Sequence, residues 1–315
     1  MTTQSYSALI EKTMRLLTPT QVEQALQVSA DYVANAATLT VDSTSPAYAA
    51  AGRPGTILAC GLQLFYVQSD AGSGVLNVIP GYQGSTSVNI THSATAATAT
   101  VYVKPKFTRF DVGVAINDEL LALNAPDVGL GQILTTDVTF VPVYMGYPLP
   151  ATFDAAGSYI LEIQAKLPLP SRRYPLIRRG EYRTLRNQTS AGSGGDFPNG
   201  CGFVVYSNKP YAGQPLHVQF LAPFSPLVNL TDDVLTVAGV PASAQDIVSM
   251  GAALRLAPDR EIQRNTMSAQ PDPRKAAEVP PNAIANSGNA LLRRYMMRIN
   301  QEVSRLKRNF PNAER

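Results

Sequence analysis

The stretch GYQGSTSVNITHSATAATATVYVKPKFTRFDVGVAINDELLALN, residues 81–124, joins a β-rich segment to a predicted helix and decides the fold. Gly81 and Gly84 allow tight backbone turns, and residues 99–103 carry the alternating, β-branched side chains of a strand. From Phe107 onward the apolar residues recur at helical spacing. They form two stripes on opposite sides of the helix, Phe107, Phe110, Val114 and Leu121 on one and Val112, Ile116, Leu120 and Leu123 on the other. Both sides of such a helix are expected to be covered, either by two layers of its own fold or by its own fold and a neighbouring copy.

Composition favours a protein that hides surface in an assembly. Only 16% of the 315 residues are charged, against about 25% in an average soluble domain, and the chain has 22 Gly and 24 Pro. The net charge of +3 is too small to indicate nucleic-acid binding through the overall field. Cys60 and Cys201 stand far apart in apolar or Gly-rich runs, which favours buried free thiols and leaves a disulfide open. No secretory signal and no membrane-spanning run is visible.

Periodicity divides the chain into alternating helical and β-rich regions. The predicted class is α+β, a helical core with two β-rich, barrel- or sandwich-like insertions and a C-terminal arm that ends in a helix. The predicted regions are 1–36 (N-terminal helices), 37–105 (small β domain), 106–132 (central helix), 133–242 (second, sandwich-like β domain), 243–266 (core helix) and 267–315 (Pro-rich arm and basic amphipathic helix).

Several local signals carry these assignments. A second N-terminal helix is expected to begin at Pro19, after a Thr cap, and a single strand is expected over 176–185. Ser243 and Asp246 have the spacing of a capping box at the start of the core helix, and Pro258 is expected to break that helix.

The residues offer little support for catalysis. The two histidines, His92 and His217, lie in no catalytic or metal-binding motif, and the chain lacks a nucleophile elbow, a Walker loop and a zinc-protease helix. Asp111, Asp118 and Glu119 could pair as acid and base, but they fit better on a solvated or interface-facing edge of the helix. We therefore expect no enzyme activity, no catalytic residue, no cofactor and no metal.

A set of residues in the opening stretch resembles a pattern of tailed-bacteriophage virion proteins. The pattern is a turn of the form Gly-Tyr-x-Gly-Thr, a His before a final strand, and then F-x-R-F-x-x-x-x-A-I-N-x-E-L. The matching residues are Gly81, Tyr82, Gly84, Thr86, His92, Phe107, Arg109, Phe110, Ala115, Ile116, Asn117, Glu119 and Leu120, with Pro80 where the pattern usually has Arg. The match covers about a seventh of the chain and is most similar to the head-to-tail connector, or neck adaptor, family.

This resemblance implies a structural role. Such adaptors form rings, commonly of twelve copies, below the portal, with a C-terminal segment that reaches the portal and DNA that passes through the channel without sequence-specific contact. It implies a virion location after assembly in the host cytoplasm, with the portal and a downstream neck or tail protein as partners and no membrane. The ring core would be 107–124 and 243–265, with subunit-interface candidates Phe107, Phe110, Val112, Ile116, Leu120 and Leu123.

The C-terminal helix is the candidate for portal docking. Its apolar residues share one broad face and its basic residues take the other, as in helices that dock on a partner or lie on a membrane surface. The docking candidates are Arg293, Arg294, Tyr295, Arg298, Arg305, Arg308 and Phe310. Deletion of 286–315 is expected to leave the rest of the chain folded.

A second basic group consists of Arg172, Arg173, Arg178, Arg179, Arg183 and Arg186. Arginine forks suit carboxylates and phosphates, so the group can be ordinary solvated surface, a dock for an acidic protein or a contact with nucleic-acid phosphates. Two further functions also stay open for the whole chain. One is a tail-tip, baseplate or fibre protein that binds a host receptor or glycan. The other is a glycan-active enzyme, which the absence of Trp disfavours.

Overall fold

A computed structural model describes residues 4–17, 23–92, 100–125, 128–142, 146–154, 157–167, 174–186, 197, 200–207, 210–267, 283–311 and 313, with only the backbone over 258–267 and 283–287. These residues form thirteen strands in three antiparallel sheets, one of them a half-barrel, and five helices, so the fold is mostly β. The predicted class, a helical core with β insertions, is therefore wrong. Each β region encloses a hydrophobic cluster of its own, so neither is an attachment to a helical core.

The elements follow the chain in this order. The first region holds α1 (Tyr6–Leu17), β1 (Gln24–Gln27), β2 (Thr38–Thr40), α2 (Tyr48–Ala51), β3 (Ile57–Cys60), β4 (Gln63–Gly72), β5 (Val75–Pro80) and β6 (Thr100–Val103). The remainder holds α3 (Arg109–Leu123), β7 (Gln132–Thr139), β8 (Tyr147–Pro148), β9 (Tyr159–Ala165), β10 (Leu176–Ile177), β11 (Tyr182–Leu185), β12 (Gly202–Val205), β13 (Pro215–Ala222), α4 (Gln245–Met267) and α5 (Ala283–Asn309).

The half-barrel is the six-stranded sheet β1-β6-β3-β4-β5-β2. Strands β5 and β6 alternate buried and partly exposed residues, as a sheet with one face on a core requires, whereas β3 and the first half of β4 are mainly buried. A bridge between Val28 and Val41 joins the ends of its two edge strands, which curls the sheet toward closure. The sequence DAGSG (70–74) between the apolar runs 62–68 and 75–79 predicts a hairpin, and β4 and β5 form it. Its turn needs Gly74, because a Cβ there would lie 2.3 Å from the carbonyl oxygen of Val41.

The predicted second helix after Pro19 is wrong in the part of it that the structure describes. Residues 24–27 form β1, which pairs with β6 so that Leu26 lies opposite Val101. Leu26 and Val28 are buried at alternate positions, a strand pattern that the helical spacing of Val22, Leu26, Ser29 and Val33 obscured. Residues 18–22 lie outside the described part of the chain.

The second β region is a two-layer sandwich. The sheets β10-β9-β13-β7 and β11-β12-β8 share one hydrophobic cluster, in which Phe220 of the first and Phe203 of the second are fully buried. The predicted single strand over 176–185 is two strands, because Arg179–Glu181 form a tight helical turn between them. Cys60 and Cys201 are both buried free thiols, as predicted, and burial raises the pKa of Cys60 to about 11.

Helices α1, α3, α4 and α5 share the third main cluster. The predicted break of α4 at Pro258 is wrong, since the helix continues to Met267. The predicted capping box is wrong too. The Ser243 hydroxyl makes no hydrogen bond to the described residues, while the Ser243 carbonyl and the Asp246 carboxylate accept hydrogen bonds from Arg298 of α5. The Pro-rich arm falls largely on 268–282, outside the described residues.

Candidate assembly surface on helix α3

Helix α3 begins where its sequence provides a cap. The Thr108 hydroxyl oxygen accepts the Asp111 backbone N–H at 2.9 Å, and the hydroxyl donates to the Asp111 carboxylate at 2.6 Å. This pairing satisfies a backbone donor in the first turn and places a negative charge near the positive end of the helix dipole. The cap fixes where α3 begins.

The inward face of α3 is core. Val112, Ile116, Leu120 and Leu123 are buried, and they belong to the cluster shared with α1, α4 and α5. Full burial of such a side chain stabilises a fold by about 1.5–3 kcal/mol. This stripe is therefore covered by the subunit itself.

The outward face of α3 holds three apolar residues and one aspartate that the subunit leaves exposed or partly exposed. We call Phe110, Val114, Asp118 and Leu121 the α3 outer surface, because they lie within about 80° of each other around the helix. Leu121 is 71% exposed and Val114 is 44% exposed. Part of this surface lines an open groove of about 730 Å³, whose other walls include Lys106, Arg255 and Leu256.

The six subunit-interface candidates divide sharply in the structure. Phe107, Val112, Ile116, Leu120 and Leu123 are buried inside the monomer, and only Phe110 reaches the surface. Val114 and Leu121, which were on the same predicted stripe as Phe110, are the exposed apolar residues. A neighbouring copy could contact them without any unfolding of the subunit.

Behind this surface lies a buried carboxylate. Glu119 is 3% exposed, and its Oε2 accepts a hydrogen bond from Arg255 Nε of α4 at 2.9 Å. Its Oε1 accepts one from the Tyr295 hydroxyl of α5 at 2.5 Å. The backbone of α4 approaches the carboxylate closely at Gly251, where a Cβ would lie 2.2 Å from Glu119. One side chain thus joins three helices.

The prediction that Glu119 lies on a solvated or interface-facing edge is therefore wrong. A carboxylate is stable at this depth only because a cation and a hydroxyl pair with it. Burial, and then the hydrogen bond to Glu119, raises the pKa of Tyr295 well above its ordinary value, so the phenol remains a donor. The sequence carried one usable signal, since Glu119 sits between Ile116, Leu120 and Leu123 on the inward side.

The other residues of the phage-like pattern also make contacts within the subunit. Arg109 pairs with Glu11 of α1 and lies over the Tyr102 ring of β6, 5.5 Å from its centroid. Asn117 holds the backbone of Leu227, since its amide donates to the carbonyl and its oxygen accepts the N–H, both at 2.9 Å. The His92 ring nitrogen donates to the Val28 carbonyl at 2.6 Å. These groups position α3 and the half-barrel.

Helix α5, proposed above to dock on the portal, packs against its own chain. Arg298 donates to Asp246 at 2.8 Å and to the Ser243 carbonyl at 2.6 Å, and Ile299 is buried in the helical cluster. Phe310 packs against a small cluster that contains Tyr159. Partial burial opposes ionisation of Asp246, but the hydrogen bonds and positive charge of Arg298 outweigh it and lower the pKa of the carboxyl.

The docking candidates on α5 therefore fall into two groups. Tyr295, Arg298 and Phe310 face the subunit, and Arg305 pairs with Glu302. Arg293, Arg294 and Arg308 are exposed and form no ion pair with the described residues. Together with exposed Leu292, Met296 and Met297 these three define the α5 outer surface. Because Ile299 is part of the core, deletion of 286–315 would uncover apolar surface.

The remaining candidates that the structure describes form no chemical centre. His217 contacts Asp137 at 2.6 Å, and Lys166 pairs with the same carboxylate on a sheet face. Arg186 donates to the Ser158 carbonyl at 2.8 Å, whereas Arg172 and Arg173 lie outside the described residues. Within the described ranges, no group of three or more His, Cys, Asp or Glu side chains is placed to hold a metal ion.

No protein-family model matches this sequence, and no curated protein is similar to it. Nor does any described helix combine the length and the apolar character needed to span a membrane.

Proposed function

We propose that this chain is a structural protein of a tailed-phage virion, a head-to-tail adaptor that forms a ring between the portal and the tail. Subunits associate through the α3 outer surface, and the α5 outer surface attaches the ring to the portal. A downstream neck or tail protein contacts the opposite side, and packaged DNA passes through the channel without sequence-specific contact. The protein assembles in the host cytoplasm, acts within the virion and needs neither catalysis nor a cofactor.

The observation that carries this proposal is the uncovered stripe of α3. A helix with apolar residues on both sides needs cover on both, and the subunit covers only one. Single exposed apolar residues are normal on protein surfaces. Here Phe110, Val114 and Leu121 share one side of one helix, and part of that side lines a groove whose walls carry both charges. A contact of this kind fits a second copy better than a small substrate.

The charge on α5 supports a separate role for that helix. Arg293, Arg294 and Arg308 lie beside exposed Leu292, Met296 and Met297. Like charges oppose contact between two copies of this surface, and arginine forks suit carboxylates. An acidic surface on a different protein is therefore its appropriate partner.

The decisive experiment is to measure the assembly state of the purified protein by light scattering and negative-stain class averages. We expect closed rings from the wild type. Leu121→Asp should leave folded monomers, because a charge on this stripe must lose water when a neighbour binds. Val33→Asp is the matched control, since Val33 is 66% exposed in the half-barrel and belongs neither to the helical cluster nor to the groove, and it should still form rings. A wild type that stays monomeric at every concentration would refute the ring.

One observation favours the alternative of a tail-tip, baseplate or fibre protein. Tyr206 and Tyr211, beside the sandwich, are 61% and 52% exposed. Exposed tyrosine rings give an apolar face with a polar tip, which suits a sugar or a receptor surface. Glycan-array binding that Tyr206→Ala and Tyr211→Ala abolish, from a protein that forms no ring, would establish this alternative.

A further inference from the structure

We infer that contact between copies at the α3 outer surface fixes helix α5 in place, through the contacts from Arg255 to Glu119 to Tyr295. This inference rests on the proposed function, because it assigns a regulation to the same two surfaces. It makes subunit association the step that prepares α5 for its partner.

The first contact lies at the surface. Arg255 lines the same groove as Val114 and Asp118, and its side chain is 41% exposed. Its Nε donates to Glu119, so one side chain both lines the groove and pairs with the buried carboxylate. Water that enters this groove therefore solvates the only cation that pairs with Glu119 among the described residues.

The second contact lies in the interior. Glu119 Oε1 is occupied by the Tyr295 hydroxyl, and Tyr295 packs against the helical cluster. Arg255 itself makes no hydrogen bond to α5 in the described part of the chain. Any effect of Arg255 on α5 therefore passes through the buried carboxylate.

Neighbour binding changes the strength of this connection. The attraction between two charges rises as the local dielectric constant falls. At 4 Å it is roughly fourfold stronger at a protein surface site than in bulk water. A neighbour that covers Phe110, Val114 and Leu121 removes water from Arg255 and so strengthens its attraction to Glu119. The Glu119 carboxylate becomes more firmly held, and with it the Tyr295 hydrogen bond.

Linkage makes this coupling reciprocal, so a firmly docked α5 also favours association of the copies. The consequence is an order of events. A free subunit holds α5 less firmly than the ring does, and in the ring the α5 arginines keep set positions. The acidic partner of α5 then meets a rigid surface only after the ring has closed, which lowers the ordering cost of that second contact.

Hydrogen exchange of the α5 backbone amides tests the inference. Residues 288–309 should exchange about tenfold more slowly in wild-type rings than in Leu121→Asp monomers, a factor within the usual range of coupling between two sites. The α1 amides are the internal reference, since α1 contributes neither to the groove nor to the three-residue chain.

Two variants interrupt the chain of contacts at different points. Arg255→Met keeps the length of the side chain and removes its charge, and Glu119→Gln removes the charge at a buried position away from the groove. With either substitution, the α5 amides should exchange at nearly the same rate in rings and in monomers. The monomers are obtained by adding Leu121→Asp to the same variant. Arg255→Lys should restore part of the difference. Asp246→Asn is the matched control, because it loosens α5 in both states and should keep the ratio between them.

The outcomes separate the two proposals. The coupling is overturned if wild-type rings and Leu121→Asp monomers exchange their α5 amides at the same rate. It is also overturned if the ratio of the monomer rate to the ring rate stays undiminished in both Arg255→Met and Glu119→Gln. Either result leaves the ring proposal standing. A wild type without rings would overturn the proposed function and this regulation together. If Arg255→Met prevents ring formation and Glu119→Gln does not, the α5 exchange rates of Glu119→Gln alone decide whether ring formation and α5 are coupled.

Discussion

Helices α3 and α5 were both expected to serve contacts between molecules, and the structure shows how differently they are held. The subunit covers one apolar side of α3 and leaves the other open, so α3 is core and surface at once. Helix α5 carries its charges outward, yet it is docked on its own chain through Arg298 and Tyr295. The uncovered apolar residues of α3, rather than the basic face of α5, are the basis on which we propose a contact between copies.

The two helices also depend on different forces. The inward side of α3 is held by fully buried side chains such as Ile116 and Leu120, a non-directional contribution that tolerates some change of shape. The docked face of α5 relies on charged and hydroxyl groups whose loss leaves a buried partner unpaired. Substitutions at the two helices should therefore differ in size and in pH dependence.

The largest difference in stability should be seen between substitutions of two adjacent residues that lie on opposite sides of α3. Leu120 is 1% exposed and Leu121 is 71% exposed. Leu120→Asp places an unpaired charge in the core and should destabilise the fold by about 4 kcal/mol or more. Leu121→Asp should change the free energy of unfolding of the monomer by less than about 0.5 kcal/mol. Urea unfolding measures both, and equal stability of the two variants would contradict the assignment of the faces.

A smaller loss should follow removal of a single hydroxyl from α5. Tyr295→Phe leaves Glu119 Oε1 without its donor and should cost about 1–3 kcal/mol of stability in urea unfolding. Tyr206→Phe, at an exposed ring, is the matched control and should cost less than about 0.5 kcal/mol. If both changes cost the same, Glu119 does not depend on Tyr295.

The docking of α5 should also weaken in acid. The folded protein lowers the pKa of Asp246 below its ordinary value of 3.8. A lowered carboxyl pKa contributes stability above 3.8, and this contribution is lost as the pH falls through the folded-state pKa. Wild type should therefore exceed Asp246→Asn by about 1 kcal/mol at pH 6, a modest figure because the pair is partly exposed. The difference should shrink at pH 3, and a constant difference across this range would argue against the ion pair.

The smallest effect on folding should come from the α5 outer surface. Arg293→Glu changes an exposed residue with no ion pair among the described residues, so stability should move by less than about 0.5 kcal/mol. Thermal unfolding checks this expectation. A large loss would mean that Arg293 supports the subunit, and it would remove this residue from the surface that we assign to a partner.

Much of the local structure was predictable from sequence. The α1 helix, the β4–β5 hairpin and the helical periodicity of α3 agree with the sequence patterns of those segments, because short-range patterns decide those elements. Strand β1 was missed because its identity depends on β6, which follows more than seventy residues later. The Ser243 and Asp246 pair was assigned to a cap for a similar reason, since its real partner is Arg298.

By itself, the sequence of this protein determined where apolar periodicity lies: two stripes on α3, one broad face on α5 and alternation along the strands. Only the tertiary structure decided which stripe is covered, that Glu119 is buried and that α5 lies on its own chain. The physical reason is that periodicity is a property of neighbouring residues. Burial and the pairing of charges depend on groups far away along the chain, as Arg255 and Tyr295 show for Glu119.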